Sequence, residues 1–403
     1  VSAPTPAPTD RALTRMLFLM AMAAFASGAS LRVSDQLLPQ VALDFDTTLG
    51  AASSIVTAYA IPYGVMQAFS GAIGDRLGKC QAVALACAVS FMLVLLCAAA
   101  QSVPQLTLAR LFAAPGAAII VPLGMAYVGD VVPYERRQTA LARFLAGQMA
   151  GMVVGQLIGG IFGDHFGWRS AFIVLAVIFG CAAIALASQL RSNPWAKPIA
   201  HAGGARPKMI PTYRQLLADR WSRFLLIAVF IEGGIFFGGF TYVAASLHQY
   251  FDLSFSSIGF IAAGFGAGSI GYALLVHRIV RRFSESEMVL AGGAVVALGF
   301  IALAASPVWY LAPVACLMLG FGYYLLHNTL QTNATQMLPA ARGTAMAGFS
   351  SALFIGQSVG VATGAFIVDH AGMMQLFVVA AVTWPVLALW IAAQIKRHKA
   401  LAG

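Results

Sequence analysis

Twelve apolar windows punctuate this sequence, each near the roughly 20 residues a helix needs to cross the hydrocarbon core of a bilayer. They fall near 16–39, 50–71, 80–101, 104–128, 139–163 and 169–190, then near 222–245, 254–276, 286–306, 308–330, 344–368 and 373–395. The expected fold is an all-α membrane protein of twelve transmembrane helices in two pseudo-symmetric six-helix bundles. Its expected parts are a cytoplasmic tail at 1–15, a bundle at 16–190, a linker at 191–220, a second bundle at 221–395 and a tail at 396–403.

Composition agrees with that frame. Only 9% of the residues are charged, against about 25% in a soluble globular protein. A cytosolic enzyme, a secreted disulfide scaffold and a disordered chain are excluded. The net charge of +10 belongs to a chain too apolar for a nucleic-acid binder. Four of the five cysteines lie inside apolar runs and none has a metal-ligand spacing, so they read as small buried hydrophobes.

The basic residues orient the spans, because short cytoplasmic loops collect Lys and Arg. With both termini inside, cytoplasmic segments hold 21 of the 24 Lys/Arg, leaving Arg32, Arg110 and Arg169 within or beside spans. The outer loops keep Asp44, Asp46, Asp164, Asp252 and Asp369 and no lysine. The expected location is the inner (plasma) membrane.

The halves also repeat. An offset of 205 places Arg137, Thr139 and Ala140 on Arg342, Thr344 and Ala345, and Gly151, Gly155 and Gly159 on Gly356, Gly360 and Gly364. It then carries Asp164, His165 and Gly167 onto Asp369, His370 and Gly372. Parallel repeats of six spans are one architecture of secondary transporters.

Between spans 2 and 3 the chain reads Gly71-Ala-Ile-Gly-Asp75-Arg76-Leu-Gly78-Lys79. This resembles the G-x-L-x-D-R-x-G-R/K loop of the major facilitator superfamily. Arg110 in span 4, Gly167-Trp168-Arg169 opening span 6, and the repeat itself extend the resemblance over the whole chain. Within the superfamily the chain is most similar to the twelve-span drug:proton antiporter branch of sugar and drug efflux permeases. Gly151-x-x-x-Gly155-Gln156-x-x-Gly159-Gly160 in span 5 is similar to that branch's G-x-x-x-G-P-x-x-G-G, with Gln156 in place of proline. The resemblance implies proton-coupled efflux of a small amphipathic or aromatic molecule by alternating access, without enzymatic activity or cofactor. The alternative is a proton-coupled symporter importing an organic anion or metabolite bound by Arg32 and Arg110. Substrate, protons and lipid are the expected partners, and a monomer the expected state.

Physical reasons give the gate loop a role of its own. Asp75 ends span 2 where span 11 begins, and a carboxylate gains up to about 1 kcal/mol at a helix N-terminus. Asp75 is expected to latch the cytoplasmic side, with Arg136, Arg137 or Arg342 adding charge-assisted bonds and Arg76 and Lys79 completing the gate; the alternative is a solvated turn in which Gly71 and Gly78 allow tight helix approach. In the second half His277 stands where the Asp would be.

An ionisable residue inside a span is a functional hypothesis by default. Arg32 and Asp35 lie one turn apart in span 1, and Arg110 is roughly 9 Å below the outer surface at 1.5 Å per residue. One reading makes Asp35 the proton carrier regulated by Arg110; the other is a static Arg32–Asp35 pair with Arg110 bonding backbone carbonyls. Glu232, midway along span 7, has no basic residue within two turns on its own helix and is expected to stand alone, as a proton or cationic-substrate site or as a neutral hydrogen-bonded structural acid.

For substrate, Tyr59, Tyr63 and Gln67 recur every four residues along span 2. Gln148, Phe236, Tyr242, Tyr324, His327, Asn328 and Gln331 complete a largely apolar surface with a few polar groups, as small-molecule sites have. No HExxH or Walker motif occurs, and His327 lacks the partners of a metal site.

Overall fold

A computed structural model describes residues 10–192, 209–338 and 341–402. The expected tail at 1–9 and most of the expected linker, 193–208, lie outside the described residues. Twelve helices among the described residues are long and apolar enough to cross a membrane. Each coincides with one of the twelve apolar windows.

The first half contains α1 (Asp10–Asp44), α2 (Leu49–Ala52), α3 (Ser54–Gln67), α4 (Ser70–Leu77), α5 (Lys79–Ala98), α6 (Val103–Val131), α7 (Tyr134–Phe166) and α8 (Trp168–Ser192). The second contains α9 (Met209–Ala218), α10 (Arg220–Phe240), α11 (Val243–Phe251), α12 (Phe255–Arg282), α13 (Glu285–Ala305), α14 (Ala312–Ala334), α15 (Arg342–His370) and α16 (Met373–Ala402). Hydroxyl and carboxylate caps start many of them: Thr48, Ser102, Asp219, Ser254 and Ser284 each accept a hydrogen bond from the first turn they precede.

One apolar core is built from α1–α8, joined by Phe354 and Val361 of α15, and a second from α9–α16. Repeat-related helix pairs in the two halves approach backbone to backbone, as α12 and α14 also do in the second half. Gly151 and Gly155 of α7 lie on Phe25 and Ala29 of α1, leaving no room for a Cβ. Their repeats Gly356 and Gly360 of α15 lie on Phe230 and Gly234 of α10 in the same way. Small residues at four-residue spacing thus set the interhelix distance, as is common in lipid.

The halves meet where α3 packs on α15 and α7 on α12. The face bearing Asp10 and the end of α16 is called here the terminal face, and its opposite the far face. Gly167 (φ 79°) and Gly372 (φ 100°), 205 residues apart, both turn the chain at the far face in a conformation that favours glycine.

Candidate functional site

Arg32 and Asp35 share one face of α1 because they are three residues apart. Both are almost fully buried, at 3% and 2% exposure, and Arg32 Nη1 donates to Asp35 Oδ2 at 3.3 Å. The guanidinium also stacks 4.0 Å from the ring centre of Phe237 on α10. The pair therefore sits on the boundary between the halves. Arg32 Nε, Asp35 Oδ1 and Thr241 Oγ1 remain buried without a hydrogen-bond partner.

Arg110, on α6, is buried beside this pair but spends its donors elsewhere. Nη2 donates to the Ser30 carbonyl at 3.1 Å, Nη1 to Ser30 Oγ at 3.4 Å and Nε to the Ile55 carbonyl at 3.5 Å. Tyr59 lies under the guanidinium at 3.7 Å and donates its own hydroxyl to Ser30 Oγ at 3.0 Å. This conformation has the geometry of the static reading: an Arg32–Asp35 pair with Arg110 on backbone carbonyls.

Glu232 does not stand alone. His327 of α14 places Nδ1 3.2 and 3.1 Å from its two carboxylate oxygens. The expectation of an isolated acid is corrected: a partner 95 residues away leaves no trace in the pattern of α10 itself. Tyr323 Oη lies 3.3 Å from the same nitrogen and its ring stacks on the imidazole. One ring nitrogen carries either one hydrogen or one lone pair, so it serves one of these neighbours at a time. Phe237 packs edge-on to Tyr323, with centroids 5.6 Å apart. A continuous contact path thus runs from Asp35 and Arg32 through Phe237, Tyr323 and His327 to Glu232.

The substrate candidates divide. Tyr63 is buried, its hydroxyl 3.1 Å from Ser27 Oγ and its ring against Phe354 of the other half. Gln67 is buried and Gln148 half-buried. Phe236 is packed among Phe240, Phe265, Phe300 and Trp384, inside the second core rather than on a cavity wall. Tyr242 is likewise buried, donating to the Val361 carbonyl at 3.1 Å. Asn328 donates to Tyr272 Oη at 2.8 Å, and Gln331 is exposed. Tyr324, half-buried, joins Met149, Met152, Gln156, Phe265 and Ser269 around a narrow cleft between α7, α12 and α14. Sequence reasoning did not name Phe265. An aromatic beside others in an apolar span carries no signal of which one faces the boundary.

In the gate loop, Asp75 is exposed and makes no hydrogen bond or ion pair among the described residues. Arg76 is exposed too, and Gly71 borders open space. Gly78 adopts φ 82° between α4 and α5. Lys79 pairs with Asp130 and Arg137 donates to the Val132 carbonyl, both within the first half. No cluster of His, Cys, Asp and Glu suited to a metal occurs among the described residues.

A family model described as Major Facilitator Superfamily matches residues 20–360 and 244–401. The chain is 28% identical over 369 residues to a chloramphenicol resistance protein of Streptomyces lividans, covering 88% of this chain and 89% of that one. It is 24% identical over 360 residues to the uncharacterized transporter YceJ of Bacillus subtilis, covering 88% and 90%. Over 200 residues it is 24% identical to multidrug resistance protein D of Escherichia coli, covering 49% and 48%. Among solved structures, a peptide transporter in complex with alafosfalin superposes with a TM-score of 0.76 at 16% identity, covering 94% of both chains. An inward-facing bacterial homologue of the lysosomal transporter Spinster superposes at 0.73 and 17%, covering 96% of both. These structural likenesses carry the fold.

Proposed function

This chain belongs to the Major Facilitator Superfamily, a multi-pass membrane transporter rather than an enzyme, and we propose that it exports a small amphipathic or aromatic molecule in exchange for protons. The observation that carries this reading is the pair of buried ionisable sites, Arg32–Asp35 and Glu232–His327, linked by contacts across the boundary between the halves. Buried charge in a membrane is costly, and a site that gains and loses a proton as the halves rock gives that cost a use. The chloramphenicol resistance relative supports an amphipathic aromatic cargo.

In this reading the terminal face is cytoplasmic, as the basic loops require. Asp35 carries the coupling proton, Arg32 holds its charge, and Arg110 fixes the α1 backbone beside it. Glu232 with His327 forms the second proton site. Displacing Asp35 from Arg32 would leave a cation over Phe237 unpaired, which ties the pair's protonation to movement of α10. Gly71, Asp75, Arg76, Gly78, Lys79 and Arg137 form the cytoplasmic gate, in which Asp75 is exposed in this conformation. Substrate would enter beside Tyr324, Gln148 and Gln67, with Asn328 and Gln331 nearer the cytoplasmic mouth; Tyr59, Tyr63, Phe236 and Tyr242 shape that path from behind. Import of an organic anion would need free cations, and both Arg32 and Arg110 are engaged.

The test is a proteoliposome assay with a lumenal pH dye and a panel beginning with chloramphenicol and ethidium. Substrate-dependent proton flux that Asp35→Asn abolishes, in a variant that still folds, supports the proposal. Unchanged coupling in that variant removes Asp35 from the mechanism.

A further inference from the structure

Two carboxylates with no part in the foregoing site tie the halves together at the far face. Asp369, ending α15, accepts from Thr48 Oγ1 at 2.8 Å and from the Gly50 amide at 3.0 Å. Asp164, ending α7, accepts from Ser256 Oγ at 2.8 Å and from its amide at 3.4 Å. Each bond crosses from one half to the other. Gly50 and Ser256 are both the second residue of a helix, α2 and α12, where the amide has no intrahelical acceptor.

Asp164 and Asp369 are related by the 205-residue repeat. The two contacts are therefore one device made twice: the C-terminal end of a glycine-rich helix caps the N-terminal turn of the helix it meets in the opposite half. Helix N-termini favour negative charge, so a carboxylate suits this role. Neighbouring interhalf bonds reach only to mid-helix, from Ser358 to the Thr57 carbonyl and from Ser351 to the Gly64 carbonyl. At Gly50 the fit is tight enough that a Cβ would overlap the Asp369 carboxylate.

We infer that Asp164 and Asp369 are paired gating residues that hold the far face shut, and that releasing both shifts the transporter toward the state open on that face. The inference rests on the proposed rocking of the halves. Because both carboxylates are exposed, each contributes modestly. A hydrogen-bonded contact of this kind is a factor of about 2 to 10 in the ratio of the two states. Release of one latch leaves the other, so the double variant has the larger effect.

The experiment measures spin-label distances on the full chain in lipid nanodiscs. One pair, Gln101→Cys with Tyr310→Cys, reports the far face; the other, Gln81→Cys with Arg282→Cys, reports the terminal face. All four positions are exposed, and the exposed native Cys181 is replaced by Ser in every sample. In Asp164→Ala/Asp369→Ala the longer far-face distance is expected to gain about tenfold in population ratio, with single variants between. Asp252→Ala removes another exposed far-face carboxylate and is expected to change nothing. An unchanged far-face distribution in the double variant overturns the latch, as does an equal shift in Asp252→Ala. If the far face opens while the terminal-face distance does not shorten, the latch stands and the rocking of rigid halves fails.

Discussion

The two buried ionisable sites are built on different principles. In the first half Asp35 is paired with an arginine, whose charge is permanent at any physiological pH. In the second, Glu232 is paired with a histidine, whose ring nitrogen can either donate or accept a hydrogen bond. Protonating Asp35 leaves Arg32 a buried, unpaired cation resting on Phe237. Moving a proton between Glu232 and His327 leaves that pair's total charge unchanged. In the proposed reading the first site is the one that couples protonation to movement, whereas a proton shifted within the second alters no net charge. Phe237 and Tyr323 lie between them, so a change at one is felt as packing at the other.

That contrast can be broken by substitution. The largest effect is expected for Arg32→Ala, which strands the Asp35 carboxylate: loss of one partner of a buried pair costs about 3–5 kcal/mol. Thermal unfolding of the detergent-solubilised protein reads it, and Arg32→Ala/Asp35→Ala should recover much of the loss. A double variant no better than the single would mean that Asp35 does not depend on Arg32. His327→Ala is expected to cost less, about 1–3 kcal/mol, because the contact it breaks is a hydrogen bond from a partner without a permanent charge. Equal losses at the two sites would erase the distinction drawn here. A thermodynamic cycle on Glu232→Gln and His327→Gln should show a coupling of about 0.5–3 kcal/mol, and additivity would mean that the contact is not energetic. The smallest effect is expected for Phe237→Leu, which keeps an apolar side chain while removing the aromatic face under Arg32 and some ring volume, at about 1–2 kcal/mol. A larger loss would point to Phe237 as a packing element first.

Much of the fold was legible because its determinants are local. Span length, basic loops and glycine spacing are properties of one stretch of chain, and the 205-residue offset foreshadowed both the α1–α7 and α10–α15 approaches. Arg32 and Asp35 were legible for the same reason, being one turn apart. What depended on a second helix was not. His327 was grouped with substrate residues because its polar neighbours in α14 suggested a cavity wall, whereas its nearest partner is Glu232 across the helix interface. The tyrosine stripe of α3 kept its helical spacing but found serines of α1, since a hydroxyl buried in an apolar layer takes the nearest acceptor. Asp164 and Asp369 read as outer-loop charges until the closure of the far face brought helix N-termini to them.

The central claim is that proton movement through Asp35 drives substrate in the opposite direction. Vesicles with the terminal face outward, an acidified lumen and a lumenal pH dye test it most directly. Adding a transported compound to the medium is predicted to raise lumenal pH as protons leave in exchange, and Asp35→Asn is predicted to abolish the response while substrate binding persists. Lumenal acidification on substrate addition, or an undiminished response in Asp35→Asn, would contradict the account.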